Sequence, residues 1–576
     1  MRHNAQARRS GQRATRGPEK QAKALLKGYV GSYEKLEKAL ARAYVRTFLS
    51  PDPTASRTRE RLEMQLYTLH ANPSRAKAIR RLQTKVTDPL LRRRLLVASR
   101  QHRRFRKIER SELKELVAME SVLERKMEGY VAVLGGARVS VGDIEEILSS
   151  SRKERRLKRA WRAGRKRGRH LAKLAQRVVK KRNAMARKAD FADAYEERIR
   201  STGLRLSLLL GLLKKVEKAT RKPYLRYKKH LDSKLKSRFG VSLKRLRPWH
   251  YGSLHFDHLP KFYEKKQAKH WRRRHPVKLV EKTFAEMGFK VGDLLKKSDL
   301  LPRPGKSDGA YCARMDREGR VRIFASIRND RASTRRLIHE VGHAVYFLHV
   351  HRELPFLLRE PPHLFVTEGV AMMMEKVMRS ATWWSKVVGF SPGDAQKKAK
   401  NAEPLSRLRD LPFVRWACPM VAFERALYKK PNQDLDALWW RLSEKFLGIG
   451  APRKPVRGGW AAEPYPLLAP GYYQNYLLGE LLAWQILEAY RESRPSCPGG
   501  QVKEGGDRRK RRAERNEGSG LLTGVLTSSF GGFLKQKMFR LGARFSAETL
   551  TKKLTGKNLS PEAFAKHHGF IAPGEP

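Results

Sequence analysis

The segment Leu337–Leu348 reads LIHEVGHAVYFL. Its two histidines, His339 and His343, stand four residues apart. On a helix both imidazoles then lie on one face, one turn apart, and can reach a single metal ion. Glu340 follows the first histidine and projects beside it, placed to hold a water on that metal. Gly342, inside such a helix, costs ~1 kcal/mol relative to alanine, which predicts a close neighbour on that side. Chance is a weak rival: with 17 histidines in 576 residues, roughly 0.02–0.03 accidental matches to this spacing are expected.

A catalytic zinc ion usually takes three protein ligands, and the third is expected from a second helix packed against the first. The segment His363–Val377, HLFVTEGVAMMMEKV, offers Glu368, 25 residues after His343. Between the two helices Pro355, Pro361 and Pro362 break and redirect the chain. Glu375, two turns after Glu368, either orients a ligand histidine or faces solvent; Met372–Met374 read as core. One zinc ion per chain in this setting lowers the pKa of a coordinated water to ~7 and polarises a substrate carbonyl. Glu340 is placed to take the water's proton and pass it to a leaving amine. The oxyanion that develops needs a donor, and LLAPGYYQNYLLGELLAWQ (Leu467–Gln485) is rich in phenols. Tyr473 and Tyr476, three apart on one helical face, are the candidate substrate contact and oxyanion donor, although the same spacing also serves packing.

Upstream, the periodicity changes from helical to alternating. Val321, Ile323, Ala325 and Ile327 alternate with Arg322, Phe324 and Ser326, the pattern of a strand with one apolar face. Ala310–Met315 can pair with it through the turn Asp316-Arg317-Glu318-Gly319. A strand edge beside the metal helix can hold an extended peptide by main-chain hydrogen bonds. Elsewhere the pattern is helical, and from about Lys20 to Leu213 it is helical throughout. Residues 1–20 read as a mobile basic tail, 21–200 as a basic helical N-terminal lobe or lid, and 201–576 as the catalytic region. A Gly-, Pro- and charge-rich stretch at about 495–520 reads as a disordered loop.

The 126 Lys and Arg against 56 Asp and Glu give a net charge of +70, which attracts polyanions in a salt-dependent way. Ser151–Arg182 alone carries sixteen Lys or Arg and one acid, Glu154, either a solvated helix face or a polyanion-docking surface. The three cysteines, Cys312, Cys418 and Cys497, fit neither a disulfide framework nor a cysteine zinc cluster. The longest apolar run, Leu206–Leu213, falls far short of the ~20 residues that span a bilayer, and no secretory signal is evident. A soluble, cytoplasmic monomer is expected.

HEVGH followed by Glu368 is similar to the gluzincin metallopeptidases. LIHEVGHAVYF, LPFLLREPPHLFVTEGVAM and APGYYQNYLLGELLA resemble the angiotensin-converting-enzyme-type peptidyl-dipeptidases, particularly their bacterial relatives. Fainter echoes extend the likeness over about residues 170–490, among them KKRNAMAR (Lys180–Arg187), LRPWHYG (Leu246–Gly252) and FERALY (Phe423–Tyr428). Thimet-type oligopeptidases are the neighbouring family. The resemblance implies a mainly α-helical, two-lobed ellipsoid with zinc at the floor of a deep cleft, a small β-hairpin beside the zinc helix, and cleavage of oligopeptides, often with release of C-terminal dipeptides. By position it makes His339, His343 and Glu368 zinc ligands, Glu340 the catalytic base, Tyr476 the transition-state tyrosine and Tyr473 a substrate tyrosine. Three positions depart from it. Tyr465 stands where a histidine is usual, Gly309 where a second substrate histidine is usual, and Met372 where an aspartate would support a ligand. Zinc binding and water activation thus look intact, while the grip on substrate is altered. A rival reading is a degenerate peptidase fold that binds polyanions such as nucleic acid; a zinc hydrolase of non-peptide amides is a third. Retention of Glu340 favours the enzyme, because a binding protein needs no general base beside its metal.

Overall fold

The computed structural model describes residues 2–49, 53–105, 107–256, 271, 274–303, 306, 309–494 and 520–570. It is 73% helix and 3% strand, with two small two-stranded sheets. Five helices open the chain: α1 (Arg2–Leu49), α2 (Pro53–His70), α3 (Pro73–Lys85), α4 (Pro89–Arg104) and α5 (Arg110–Glu128). A short hairpin, β1 (Ala132–Leu134) and β2 (Ala137–Val139), precedes α6 (Val141–Ser150), α7 (Glu154–Lys188), α8 (Ala194–Ser201) and α9 (Leu206–Phe239). After α10 (Pro276–Glu286) and α11 (Gly292–Lys296) come β3 (Ala310–Arg314) and β4 (Val321–Ala325). The helices α12 (Arg331–Leu348), α13 (Leu364–Lys376), α14 (Pro392–Lys429), α15 (Leu435–Leu447), α16 (Tyr465–Leu468) and α17 (Gln474–Ser493) complete the central region, followed by α18 (Ser528–Lys537), α19 (Ala547–Thr555) and α20 (Glu562–His567).

Helix α1 spans Arg2–Leu49 and so includes most of the basic N-terminal stretch. One sequence expectation needs correction: the region from Lys20 to Leu213 is not helical throughout. Gly135 and Gly136 both take positive φ (63° and 84°), the conformation of a two-residue hairpin turn, and pair β1 with β2. The stretch 495–519 lies outside the described residues, and Gly520–Leu522 forms a single 3-10 turn.

β3 and β4 pair antiparallel, with Ala310 opposite Ala325 and Arg314 opposite Val321. The turn between them is fixed by Asp316, whose Oδ1 accepts from the amides of Glu318 (2.9 Å) and Arg320 (3.0 Å), and by Gly319 at φ +93°. The far edge of β4 is covered by Asp299, which exchanges backbone hydrogen bonds of 2.9 Å with Ile323 and Ala325. That leaves β3 as the strand that faces the site.

One continuous core surrounds α12, α13, α14 and α17, with Trp383, Trp416 and Trp484 fully buried in it. The N-terminal helices build a smaller core from Leu26, Tyr29, Ile79, Leu82 and Leu95, which also takes in Phe356 and Leu357. Arg317 in the β3–β4 turn, buried, joins the two: its guanidinium donates to Glu37 of α1 at 2.8 Å and to the Phe356 carbonyl at 3.1 Å. Helix α7 packs along its length on the central region through Arg165 to Glu463 (2.6 Å) and Arg182 to the Tyr428 hydroxyl (2.8 Å). No helix among the described residues is long and apolar enough to cross a membrane.

Candidate metal centre

The site begins at two helix starts. Asp330 caps α12, its Oδ1 accepting from the Ser333 amide at 2.6 Å. Pro361 and Pro362 end the connection that follows, and His363 caps α13 by accepting from the Phe365 amide at 3.2 Å. The two helices then cross where they carry no bulk. A Cβ on Gly342 would stand 2.7 Å from the Cα of Ala371, so the close neighbour expected beside this glycine is the α13 backbone. On its other face α13 meets α17 the same way: a Cβ on Gly479 would lie 2.9 Å from the Cβ of Glu368 and from the Gly369 amide. Glu368 is thus clamped between two glycine crossings, and its carboxylate has one direction left, toward the histidines.

His339, His343 and Glu368 form the one cluster of metal-ligating groups found among the described residues, their ligand atoms all within 4.8 Å of one another. The His339 and His343 Nε2 atoms are 3.2 Å apart. Glu368 Oε2 lies 3.5 Å from the first and 3.9 Å from the second. Ligands about 2.0–2.2 Å from a tetrahedral zinc stand about 3.3–3.6 Å from each other, so the three atoms fit such an ion with small adjustments.

The outer hydrogen bonds make the same point. His339 Nδ1 meets Glu375 Oε1 at 2.8 Å, and His343 Nδ1 meets the Thr367 hydroxyl at 2.8 Å. A carboxylate accepts only, so His339 carries its proton on Nδ1 and turns a lone pair inward. With His343 Nδ1 donating to Thr367, two lone pairs and a carboxylate oxygen face one another. Glu368 Oε2 is buried and has no hydrogen-bond partner. Such a constellation is repulsive unless a cation or a proton occupies its centre. Burial opposes charge on His339, but the nearby Glu368 carboxylate and the hydrogen bond to Glu375 outweigh it and raise its pKa well above the usual imidazole value. Burial lowers His343 to about 4, leaving it neutral.

Glu375 does not face solvent. Burial disfavours its charge, but Arg335 (2.9 Å) and His339 hold its carboxyl far below the usual carboxylate range. It supplies the support that position 372, a methionine, lacks. Glu340, buried, is pushed up to about 7 by desolvation, with the Glu368 charge adding to the rise. The Cys312 backbone amide of β3 hydrogen-bonds to it, so the edge strand and the candidate base are in direct contact.

The tyrosines divide. Tyr476 lines the triad cavity and meets the Tyr465 hydroxyl at 3.2 Å. Burial, then Tyr465 and Glu368, push its pKa well above the ordinary phenol value, so it stays a donor. Tyr473 is the N-cap of α17 rather than a member of its face. With Tyr465 and Tyr476 it lines a neighbouring cavity of about 320 Å³, behind His339. The phenol that sequence reasoning passed over is Tyr472, which donates to Glu368 Oε1 at 2.7 Å. It stands in an irregular loop, at Gly471 (φ +69°), whose amide is held by buried Glu424 at 2.6 Å. Helical periodicity cannot reach a residue there; only its position beside the two chosen tyrosines was a hint.

The triad opens on a cavity of about 590 Å³. Tyr311 and Cys312 of β3, Glu340, His363, Tyr472 and Tyr476 line it, together with Glu37 and Tyr44 of α1 and Arg100 of α4. The first helix of the chain therefore lines a site built three hundred residues later. No protein-family model and no curated protein matches the chain.

Proposed function

We propose that the protein is a zinc-dependent metallopeptidase that hydrolyses oligopeptides. The observation that carries this reading is the convergence of His339, His343 and Glu368, with the buried carboxyl of Glu340 beside them and strand β3 lining the same cavity. Two imidazoles and a carboxylate around one open direction are the donor set that suits catalytic zinc. Bound there, the ion would supply Lewis-acid polarisation of the scissile carbonyl and an acidified water.

The chain's own residues would do the rest. Glu340, with a carboxyl poised near neutrality in the metal-free protein, accepts a proton during attack and returns it to the leaving amine nitrogen. Tyr476 donates its phenolic hydrogen bond to the oxygen on which negative charge develops. The main chain of β3 pairs with an extended peptide and sets the scissile bond beside Glu340. Glu375 and Tyr472 fix the ligand atoms and act only through them. Release of C-terminal dipeptides, and a two-lobed cleft with this cavity at its floor, go with the same reading and with the resemblance to bacterial angiotensin-converting-enzyme-type peptidyl-dipeptidases. The test is cleavage of a quenched peptide pool, with products read by mass spectrometry. Wild type should cut and lose activity on chelation, and Glu340→Gln should keep its metal but lose about 100-fold or more in rate. Metal-loaded protein that cuts no peptide, or a Glu340→Gln variant as active as wild type, would overturn the proposal.

A further inference from the structure

The excess charge is not spread at random, and part of it forms a surface that the metal centre does not use. On α7, residues Arg159, Lys166, Arg169, Lys173, Arg177 and Lys180 are all exposed. At 100° per residue they fall within an arc of about 80°. Over 21 residues at about 1.5 Å each they form a straight row about 32 Å long. None of the six forms an ion pair with a described acid. The opposite face of α7 is buried through Leu157, Trp161, Leu171, Ala175 and Val178, so the row is held rigid on the body of the protein.

A pocket lies near the N-terminal end of α7. Just before α7, Arg152 joins Ser233, Lys234, Ser237 and Arg238 from the last turns of α9 around a shallow cavity of about 490 Å³. Among the described residues, two hydroxyls and three cations line it, and no acid does. The Arg238 guanidinium donates to the Ser150 carbonyl at 3.4 Å, which ties the end of α9 to the start of α7. Burial and the neighbouring Arg152 lower the pKa of Arg238, a sign that like charges are held together there.

We propose that the α7 row and the Arg152–Arg238 pocket form a binding track for the phosphodiester backbone of a nucleic-acid duplex, the pocket seating one phosphate and the row following the strand beyond it. The row is about as long as one duplex turn, about 34 Å, and its charge repeats nearly every helical turn with no apolar anchor. A protein partner would bury an apolar or aromatic centre, and a membrane surface would call for exposed apolar side chains beside the cations. The large hydrophobic residues that are exposed among the described residues lie off α7. The track reads charge and not sequence, and it stands independently of the metallopeptidase reading.

The test uses the full chain and a fluorescent 20-base-pair DNA duplex in an anisotropy titration across salt concentrations. Each phosphate contact contributes about 0.9 to the slope of log affinity against log salt. Arg159→Gln, Lys166→Gln and Lys173→Gln together should flatten that slope by about 2.7 and weaken binding at least about tenfold at moderate salt. Arg152→Gln with Lys234→Gln should flatten it by about 0.9, for the one phosphate the pocket seats. An equal charge loss on exposed residues elsewhere, Lys552→Gln, Lys557→Gln and Arg544→Gln, should leave the slope as in wild type. If the α7 variant behaves like that control, or if phosphatidylserine vesicles are bound and the duplex is not, the proposal is wrong.

Discussion

The crossing of α12 and α13 gives the sharpest handle on the site. In Gly342→Ala the new Cβ would stand 2.7 Å from the Ala371 Cα and 3.4 Å from the Ala371 amide nitrogen. Carbon atoms rest about 3.5–4.0 Å apart, so the two helices must part by roughly 0.8–1.3 Å at this point. His343 is the next residue on one helix, and Glu368 lies one turn before Ala371 on the other, so the 3.9 Å gap between them opens directly. Metal sites tolerate ligand displacements of only about 0.2 Å. Overpacking costs about 1–3 kcal/mol, partly offset by the ~1 kcal/mol gain in helix propensity. The variant should therefore lose at most about 2 kcal/mol of stability while its metal affinity falls about tenfold or more. Gly211 in α9 is the matched control, because a Cβ there meets nothing within 4 Å; Gly211→Ala should gain up to about 1 kcal/mol and bind metal as wild type does. Zinc competition against a chromophoric chelator, paired with urea unfolding of the metal-free proteins, separates the two effects. A Gly342→Ala protein that binds zinc as tightly as wild type would refute the geometry on which the site rests.

Two further variants test what surrounds the triad. Tyr472→Phe removes the donor to Glu368 Oε1 and should weaken zinc binding about 10–100-fold in the same competition assay, with peptide binding less affected. Glu424 makes the pH prediction. Burial raises its pKa from 4.5 to about 8, so the folded state keeps a proton that the unfolded chain releases. Its contribution to stability is full below about pH 4.5 and is lost at up to about 1.4 kcal/mol per pH unit as pH rises toward 8. Glu424→Gln keeps an acceptor for the Gly471 amide and should flatten wild type's decline between pH 5 and 8 in urea unfolding; parallel slopes in the two proteins would contradict this.

Much of the site was legible because its logic is local. His339 and His343 are one helical turn apart by spacing alone, the prolines between residues 355 and 362 mark the break before the second helix, and the alternation at residues 321–327 marks the strand. Gly342 announced a close neighbour without naming it. The rest depends on contacts that no periodicity encodes. Tyr472 reaches Glu368 from an irregular loop fixed by Glu424, a residue about fifty positions earlier. Tyr473, assigned to a helical face, proves to precede the helix. The Gly135-Gly136 pair was a readable turn signal, lost among strongly helical flanks. That α1 lines the cavity goes with the Arg317–Glu37 pairing, which joins residues almost three hundred apart and leaves no trace in either segment alone.

The central claim is that three side chains from two adjacent helices hold one divalent cation. Elemental analysis of zinc-loaded and dialysed protein tests it most directly, comparing wild type with His343→Ala and Glu368→Ala. About one zinc per chain in wild type and close to none in either folded variant is the expected result. Full zinc retention by both variants, or none in correctly folded wild type, would contradict it.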